Sequence, residues 1–458
     1  MPIGHYIYTS MGVTRRKFIR NTALTGAAVS LASNIMARPY QKRVDANGKL
    51  RVGIIGSGLR GQDHIDLLLR RKDCELTCIA EPDQVMLAST KKVFEGFEAK
   101  WPEIYDQGPH DYVRMLDKEK IDAVIIATPW EWHSQMAIAA MKAGVFTGVE
   151  VSGAFSLDEC WELVNTHEST GTPLFFLENV CFRRDVMAVL NMVKKGLFGE
   201  LIHLECGYEH DLRGVKFNDG VTPYNSGVEF GDKGFSEAKW RTWHSVYRNG
   251  DLYPTHGIGP VAQWININRG NRMETLVSMA SKSRGLHEYI INHPKGGPDH
   301  PNAKLEFRLG DKVTTMVKCT NGETIVLHHD TSLARPYSLG FRVQGTKGLW
   351  MDINKKLYIE GTSPGHQWED AATYLTQYDH DAWKAHEKDA EGAGHGGMDW
   401  FVTDAFVRCA LEGTEPPFDA YDAASWMAIT PLSEASIANG GMPQAIPDFT
   451  RGRWMKRI

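Results

Sequence analysis

The 458-residue chain holds seven cysteines, an odd and scattered set with no CxxC pair. That excludes a disulfide framework and leaves no cysteine-based structural zinc site. Cys74 and Cys78 fall on or beside an apolar run and read as small core residues. Charge of one sign is also scarce. Against 51 Lys and Arg stand 56 Asp and Glu, a net charge of −5, so nothing in the balance points to nucleic acid as a partner. No apolar run is long enough for a permanent membrane span. Internal repeats and low-complexity stretches are missing too, which leaves an ordinary globular chain with room for two domains.

The N-terminus carries a basic stretch, TRRKFIR at residues 14–20, followed by a mild apolar stretch at 22–37 that ends on Ala37. This reads as a bacterial twin-arginine export signal covering residues 1–37, so the mature protein is expected to be periplasmic or exported. No cysteine ends the stretch, which argues against a lipoprotein anchor.

The most informative segment is LRVGIIGSGLRGQDHIDLLLRRKDCELTCIAE, residues 50–81. An apolar strand runs into Gly56-Ser57-Gly58-Leu59-Arg60-Gly61, apolar positions then recur at helical spacing, and a second strand ends at Glu81. Strand, glycine-rich turn, helix, strand and acid together make the dinucleotide fingerprint. Gly56 permits the turn, Gly58 lets backbone amides approach a pyrophosphate, and Gly61 lets helix and strand pack closely. Glu81 would accept hydrogen bonds from ribose hydroxyls and repel a 2′-phosphate, which favours NAD over NADP.

Alternation of strands and helices continues to about residue 178, with continuous apolar strands at 121–127, 145–149 and 173–177. Such runs suit parallel strands buried on both faces. Gly56, Glu81, Thr128, Glu150 and Asn179 all fall at strand ends, where open α/β sheets gather ligands. Beyond Asn179 the pattern changes to alternating strands at 201–210, 276–280, 304–309, 313–318, 324–329 and 340–344, with helices at 399–411 and 420–438. The fold class expected is α/β: an N-terminal Rossmann doubly wound parallel sheet over residues 50–179, then an α+β domain with a largely antiparallel open sheet over 180–458. Residues 212–250 and 360–397 read as long loops near the site.

Two further segments bear on chemistry. In Tyr253-Pro254-Thr255-His256-Gly257-Ile258-Gly259-Pro260, one apolar face marks a helix, with Thr255 a possible N-cap and Pro260 in its first turn. His256 would then sit at the positive helix end, which favours the neutral imidazole that a base requires. Arg241, in Lys239-Trp240-Arg241-Thr242-Trp243, could hydrogen-bond sugar hydroxyls beside aromatic platforms, or simply stack on tryptophan. His328-His329-Asp330 and Asp379-His380-Asp381 could suggest metal, but the first pair alternates across a strand and no metal is expected.

The Rossmann half, the open-sheet second domain and Thr128-Pro129-Trp130-Glu131-Trp132-His133 resemble the Gfo/Idh/MocA oxidoreductases. More narrowly, GSGLRGQDH, TPWEWH, YPTHGIGPVAQWININRG and GHGGMDWFVTDAF together resemble glycoside hydrolase family 109, over roughly residues 50–450. That resemblance implies an NAD-dependent α-N-acetylgalactosaminidase. It implies a cofactor site that adds Leu59, Arg60, Trp130, Trp132, His133 and Val151 to the residues above, with His133 and the tryptophans near the nicotinamide. Substrate residues implied are Tyr208, Arg241, Tyr253, Pro254, Thr255, His256 and Tyr337, with His256 and Tyr208 catalytic. One departure stands out. The superfamily's Glu-Lys-Pro triplet is Glu150-Val151-Ser152 here, so the usual lysine base is missing.

The expected chemistry is oxidation at C3 of the terminal sugar, loss of the C2 proton to Tyr208 or His256, expulsion of the C1 group, water addition and re-reduction. A cofactor returned to its starting state suits an exported protein, because free NAD is scarce outside the inner membrane. An exported sugar oxidoreductase with internally recycled NAD is the alternative, and an NAD- or sugar-binding sensor is a third. The substrate partner expected is a glycoside ending in an amino sugar. A homo-oligomer is left open.

Overall fold

The structure, a computed structural model, describes residues 48–457. The export signal read at residues 1–37 lies outside the described residues.

Six parallel strands build the first sheet: β1 (Leu50–Ile55), β2 (Cys74–Ala80), β3 (Glu103–Tyr105), β4 (Ala123–Ile126), β5 (Phe146–Val149) and β6 (Leu174–Phe176). Their order is β3-β2-β1-β4-β5-β6. The direction of winding reverses between β1 and β4, which opens a crevice at the carboxyl ends of those two strands. Every residue of β4, β5 and β6 is buried, as expected of strands covered on both faces by helices.

The second sheet has nine strands: β7 (Leu201–Glu209), β8 (Met273–Ala280), β9 (Val313–Cys319), β10 (Thr324–Asp330), β11 (Arg342–Gly345), β12 (Gly348–Met351), β13 (Lys356–Ile359), β14 (Glu369–Asp370) and β15 (Gln444–Ala445). They run in the order β14-β13-β12-β11-β7-β10-β9-β8-β15. Only β7 and β10 pair in parallel; the other ladders are antiparallel. On β9 burial alternates strictly, the signature of a sheet with one wet face.

Helix Thr255–Trp264 joins the two sheets, packing against β7 and against the short turn Asn179–Phe182 that follows β6. Its two glycines explain the close approach. A Cβ on Gly257 would sit 2.7 Å from the backbone nitrogen of Gly207 on β7. One on Gly259 would sit 2.9 Å from both Glu178 Cγ and Cys181 Sγ. The YPTHGIGP sequence is therefore shaped to carry a histidine into the seam between the sheets.

Four expectations fail locally. The segments 212–250 and 360–397, read as loops, hold helices, among them Arg241–Tyr247, Ala372–Gln377 and Asp381–Ala390. Residues 304–309 form no strand: a 3-10 turn, Pro301–Lys304, runs into an extended segment without a ladder partner. Its alternation comes from Phe307 and Leu309 entering two separate apolar clusters. The helix expected over 420–438 is two helices, Ala420–Met427 and Ile429–Ala438. Pro431 lacks the N–H that would bond the Met427 carbonyl, which accounts for the break. The helix bearing His256 begins at Thr255 with Pro254 at its cap, so Thr255 is not the N-cap and Pro260 lies inside.

Candidate functional site

A cavity of about 430 Å³ runs along the carboxyl edge of the first sheet and is walled on its far side by β7, helix Thr255–Trp264 and residues 224–241. At one end β1 stops at Gly56, whose φ of 89° makes the turn, and helix Leu59–Leu69 starts directly after Gly58. That helix has no capping side chain and no acid in its first turn. Its leading N–H groups are thus left without side-chain partners beside the cavity, the arrangement that binds a pyrophosphate. A Cβ on Gly58 would meet nothing within 4 Å, whereas one on Gly61 would lie 2.1 Å from the Gly56 carbonyl oxygen. Gly61 therefore serves packing and does not line the cavity.

Glu81 faces the same turn from the end of β2. Its carboxylate accepts the Ser57 N–H at 2.8 Å and the Asp83 N–H at 2.8 Å, and burial raises its pKa. An open glycine cradle with an acid fixed beside it fits the pyrophosphate and ribose of a dinucleotide.

Arg60 turns away from the glycine cradle. Its Nε donates to Glu150 at 2.6 Å and its guanidinium donates to Asp399 at 2.7 Å. Glu150 also accepts from His64 Nε2 at 2.7 Å; although burial works to raise its pKa, Arg60 and His64 bring it to about 2. Asp399 has no exposed surface and accepts from Arg60, from Asn179 Nδ2 at 2.7 Å and from His395 Nδ1 at 2.7 Å. Burial raises its pKa, but Arg60 and His395 more than offset that and hold it ionised. Arg60, Glu150 and Asn179 are thus locked through Asp399, an acid far from all three in sequence.

Thr128, Trp130, Trp132 and His133 all line the cavity, but in different ways. His133 Nε2 lies 2.7 Å from the Thr128 carbonyl and Nδ1 3.1 Å from the Ser152 carbonyl, so the ring ties the ends of β4 and β5 together. Burial lowers its pKa. The two tryptophans diverge. Trp130 packs on Trp240 at 5.1 Å and Tyr253 at 5.4 Å, while Trp132 packs on His110 at 5.2 Å.

On the far wall, Tyr208, Arg241, Tyr253 and His256 converge. His256 Nδ1 is 2.7 Å from Oε1 of the fully buried Glu178. A carboxylate only accepts, so Nδ1 carries the hydrogen, and in the neutral ring the lone pair is then on Nε2. The Tyr208 ring lies 5.4 Å from His256 and 4.6 Å from Tyr253. Burial raises the Tyr208 pKa, with Arg241 pulling against it. Arg241 stacks over Trp130 at 4.8 Å and Tyr253 at 5.4 Å and donates to Glu237 at 2.8 Å.

Pro254 and Thr255 do not reach the cavity; both are buried, and the Thr255 hydroxyl has no partner. Tyr337 stands outside it, half-exposed, with its ring 4.9 Å from His210 and 6.4 Å from Tyr208. Glu178, Glu237, Lys239, His395 and Asp399 were missed. Lys239 bridges to Asp83 at 2.6 Å and so pins the 212–250 segment across the cavity. Only the GHGGMDWFVTDAF motif pointed toward His395 and Asp399, without a role. Among the described residues no group of three or more metal-capable side chains occurs.

Two family models match successive parts of the chain. The model for an oxidoreductase family with an NAD-binding Rossmann fold matches residues 50–177, and that for the glycosyl hydrolase 109 C-terminal domain matches residues 182–456. A glycosyl hydrolase family 109 protein of Stenotrophomonas maltophilia is 52% identical over 447 residues, 97% of each chain. An α-N-acetylgalactosaminidase of Tannerella forsythia is 50% identical over 461 residues, 97% of this chain and 98% of that one. Among solved structures, a levoglucosan dehydrogenase in complex with NADH and levoglucosan superposes with a TM-score of 0.63 at 17% identity, covering 87% of this chain and 100% of that one. That likeness establishes the shared fold.

Proposed function

This chain belongs to glycosyl hydrolase family 109, and from that membership we propose that it hydrolyses glycosides ending in α-N-acetylgalactosamine. The observation that carries the reading is one cavity with a dinucleotide cradle on one wall and the Glu178–His256 pair beside Tyr208 on the other. NAD, when bound, supplies reversible hydride acceptance at C3 of the sugar. Gly56, Gly58 and Leu59 would hold its pyrophosphate and Glu81 its ribose, with Glu150, Val151 and Asn179 at the other end of the cavity.

The remaining work falls to the chain's own groups. With C3 at the ketone level, the C2 proton is acidic enough for a side-chain base. His256 and Tyr208 handle it between them: the proton leaves C2, the C2 electron pair forms the double bond to C1, and the C1–oxygen bond breaks with its electrons on the leaving group. Glu178 fixes the His256 tautomer so that Nε2 is the accepting atom. Arg241, held by Glu237 and two aromatic faces, offers donors to sugar hydroxyls. Val151 stands where the superfamily has its lysine, so that residue supplies no base.

Protein purified without added cofactor should release p-nitrophenol from p-nitrophenyl α-N-acetylgalactosaminide. Failure to do so, or formation of an oxidised sugar instead of free N-acetylgalactosamine, would turn the reading toward an oxidoreductase. We also propose export by the twin-arginine route, on the strength of Arg15-Arg16 and the stretch that follows.

A further inference from the structure

A strap at residues 391–397 brings His395 to the cavity wall next to Leu59, Arg60 and Asp63, the start of the helix at the glycine cradle. His395 itself has φ 53°, a left-handed conformation unusual for a residue with a side chain and retained where position matters. Its Nδ1 lies 2.7 Å from Asp399, which only accepts, so Nε2 is the free atom of a half-exposed ring.

Charge accounting at the cradle explains why that atom matters. Three permanent cations line the cavity, and each is already matched. Arg60 bonds Glu150 at 2.6 Å and Asp399 at 2.7 Å, Lys239 bonds Asp83 at 2.6 Å, and Arg241 bonds Glu237 at 2.8 Å. A dinucleotide pyrophosphate is doubly negative and would lie beside helix Leu59–Leu69, where Asp63 adds a further negative charge. Backbone amides alone leave that load without a mobile counter-charge.

We propose that His395 is a cofactor-binding residue, whose imidazolium donates from Nε2 to the pyrophosphate of bound NAD and slows its escape. The proposal rests on the NAD reading above. The groups facing His395 are Asp399 in the first turn of helix Met398–Glu412, and Arg60 and Asp63 from helix Leu59–Leu69. From helix Asp381–Ala390, Trp383 and Ala390 lie nearest the adjoining Gly397. The bond to Asp399 raises the His395 pKa, with burial and Arg60 opposing. Protonated His395 therefore persists above the usual imidazole range, and the hold on NAD weakens as pH rises through its pKa.

The test follows NAD release from as-purified protein into a NAD-free buffer at pH 6 and pH 9, by separating free from bound nucleotide over time. His395→Gln should release NAD about tenfold faster than wild type at pH 6, the effect of losing one charge-assisted hydrogen bond, with the gap closing at pH 9. His395→Lys keeps the charge at both pH values, so its release should change less with pH than that of wild type. Equal release by wild type and His395→Gln at pH 6 would overturn the role of His395. A Lys variant with the wild-type pH dependence would overturn it as well. Wild-type protein with no bound NAD at either pH would instead defeat the cofactor reading itself.

Discussion

At the residue scale the proposed chemistry turns on three side chains. If Nε2 of His256 and the Tyr208 hydroxyl share the C2 proton, His256→Ala and Tyr208→Phe should each lower kcat by about 10²–10⁴, the usual share of a positioned acid or base. Glu178→Gln keeps the shape but can donate as well as accept, so the fixed tautomer is lost. It should lower kcat more than it raises KM in steady-state assays. Glu81→Ala should weaken NAD binding by about 1–3 kcal/mol, measured by titrating stripped protein, because its carboxylate both fixes the turn at Ser57 and faces the ribose site. Asp251 behaves differently. It is fully buried, accepts the Tyr253 N–H at 3.2 Å, and burial pushes its pKa up to about 7. A carboxyl raised above its unfolded value of 3.8 costs folding free energy as pH climbs from there to about 7. Asp251→Asn keeps the acceptor and removes the charge. Its stability in urea relative to wild type should rise by a few kcal/mol between pH 4 and pH 7 and then level off.

At the scale of elements, close approach decides more than propensity. Gly61→Ala would drive a Cβ to 2.1 Å from the Gly56 carbonyl, so it should cost about 1–3 kcal/mol or more in urea unfolding and loosen NAD retention together. What was legible in the sequence follows the same logic. Five of the six parallel strands could be read because buried strands are apolar runs and the glycine turn sits at a fixed offset from Glu81, whereas β3, three residues with only Tyr105 buried, left no such run. Residues 304–309 misled because burial alternates there without a ladder partner. Strands β12 to β15 went unread because strands of four and two residues leave too short a pattern. The site divides in the same way. His256 came with a recognisable motif, Arg241 with its tryptophan neighbours and Tyr208 through the family resemblance alone, while Glu178 and Asp399 act through partners 78 and 339 residues away, distances that one sequence does not encode locally.

For the whole molecule, the cavity design matches a protein that keeps its cofactor. The 212–250 segment is pinned across the cavity by Lys239 and Asp83, and the Arg60–Asp399 pair ties the C-terminal helix Met398–Glu412 to the cradle helix. Replacing Arg15 and Arg16 together with lysine should leave the uncut protein inside the cell, if export follows the twin-arginine route; continued secretion would contradict it. The central claim is that the glycosidic bond is broken by elimination and not by displacement at C1. It is tested most directly by running the reaction in D₂O and examining the released N-acetylgalactosamine by NMR. Deuterium at C2 is the predicted result, since the proton removed there passes through a side chain open to exchange. A product that keeps its original hydrogen at C2 throughout would contradict the account.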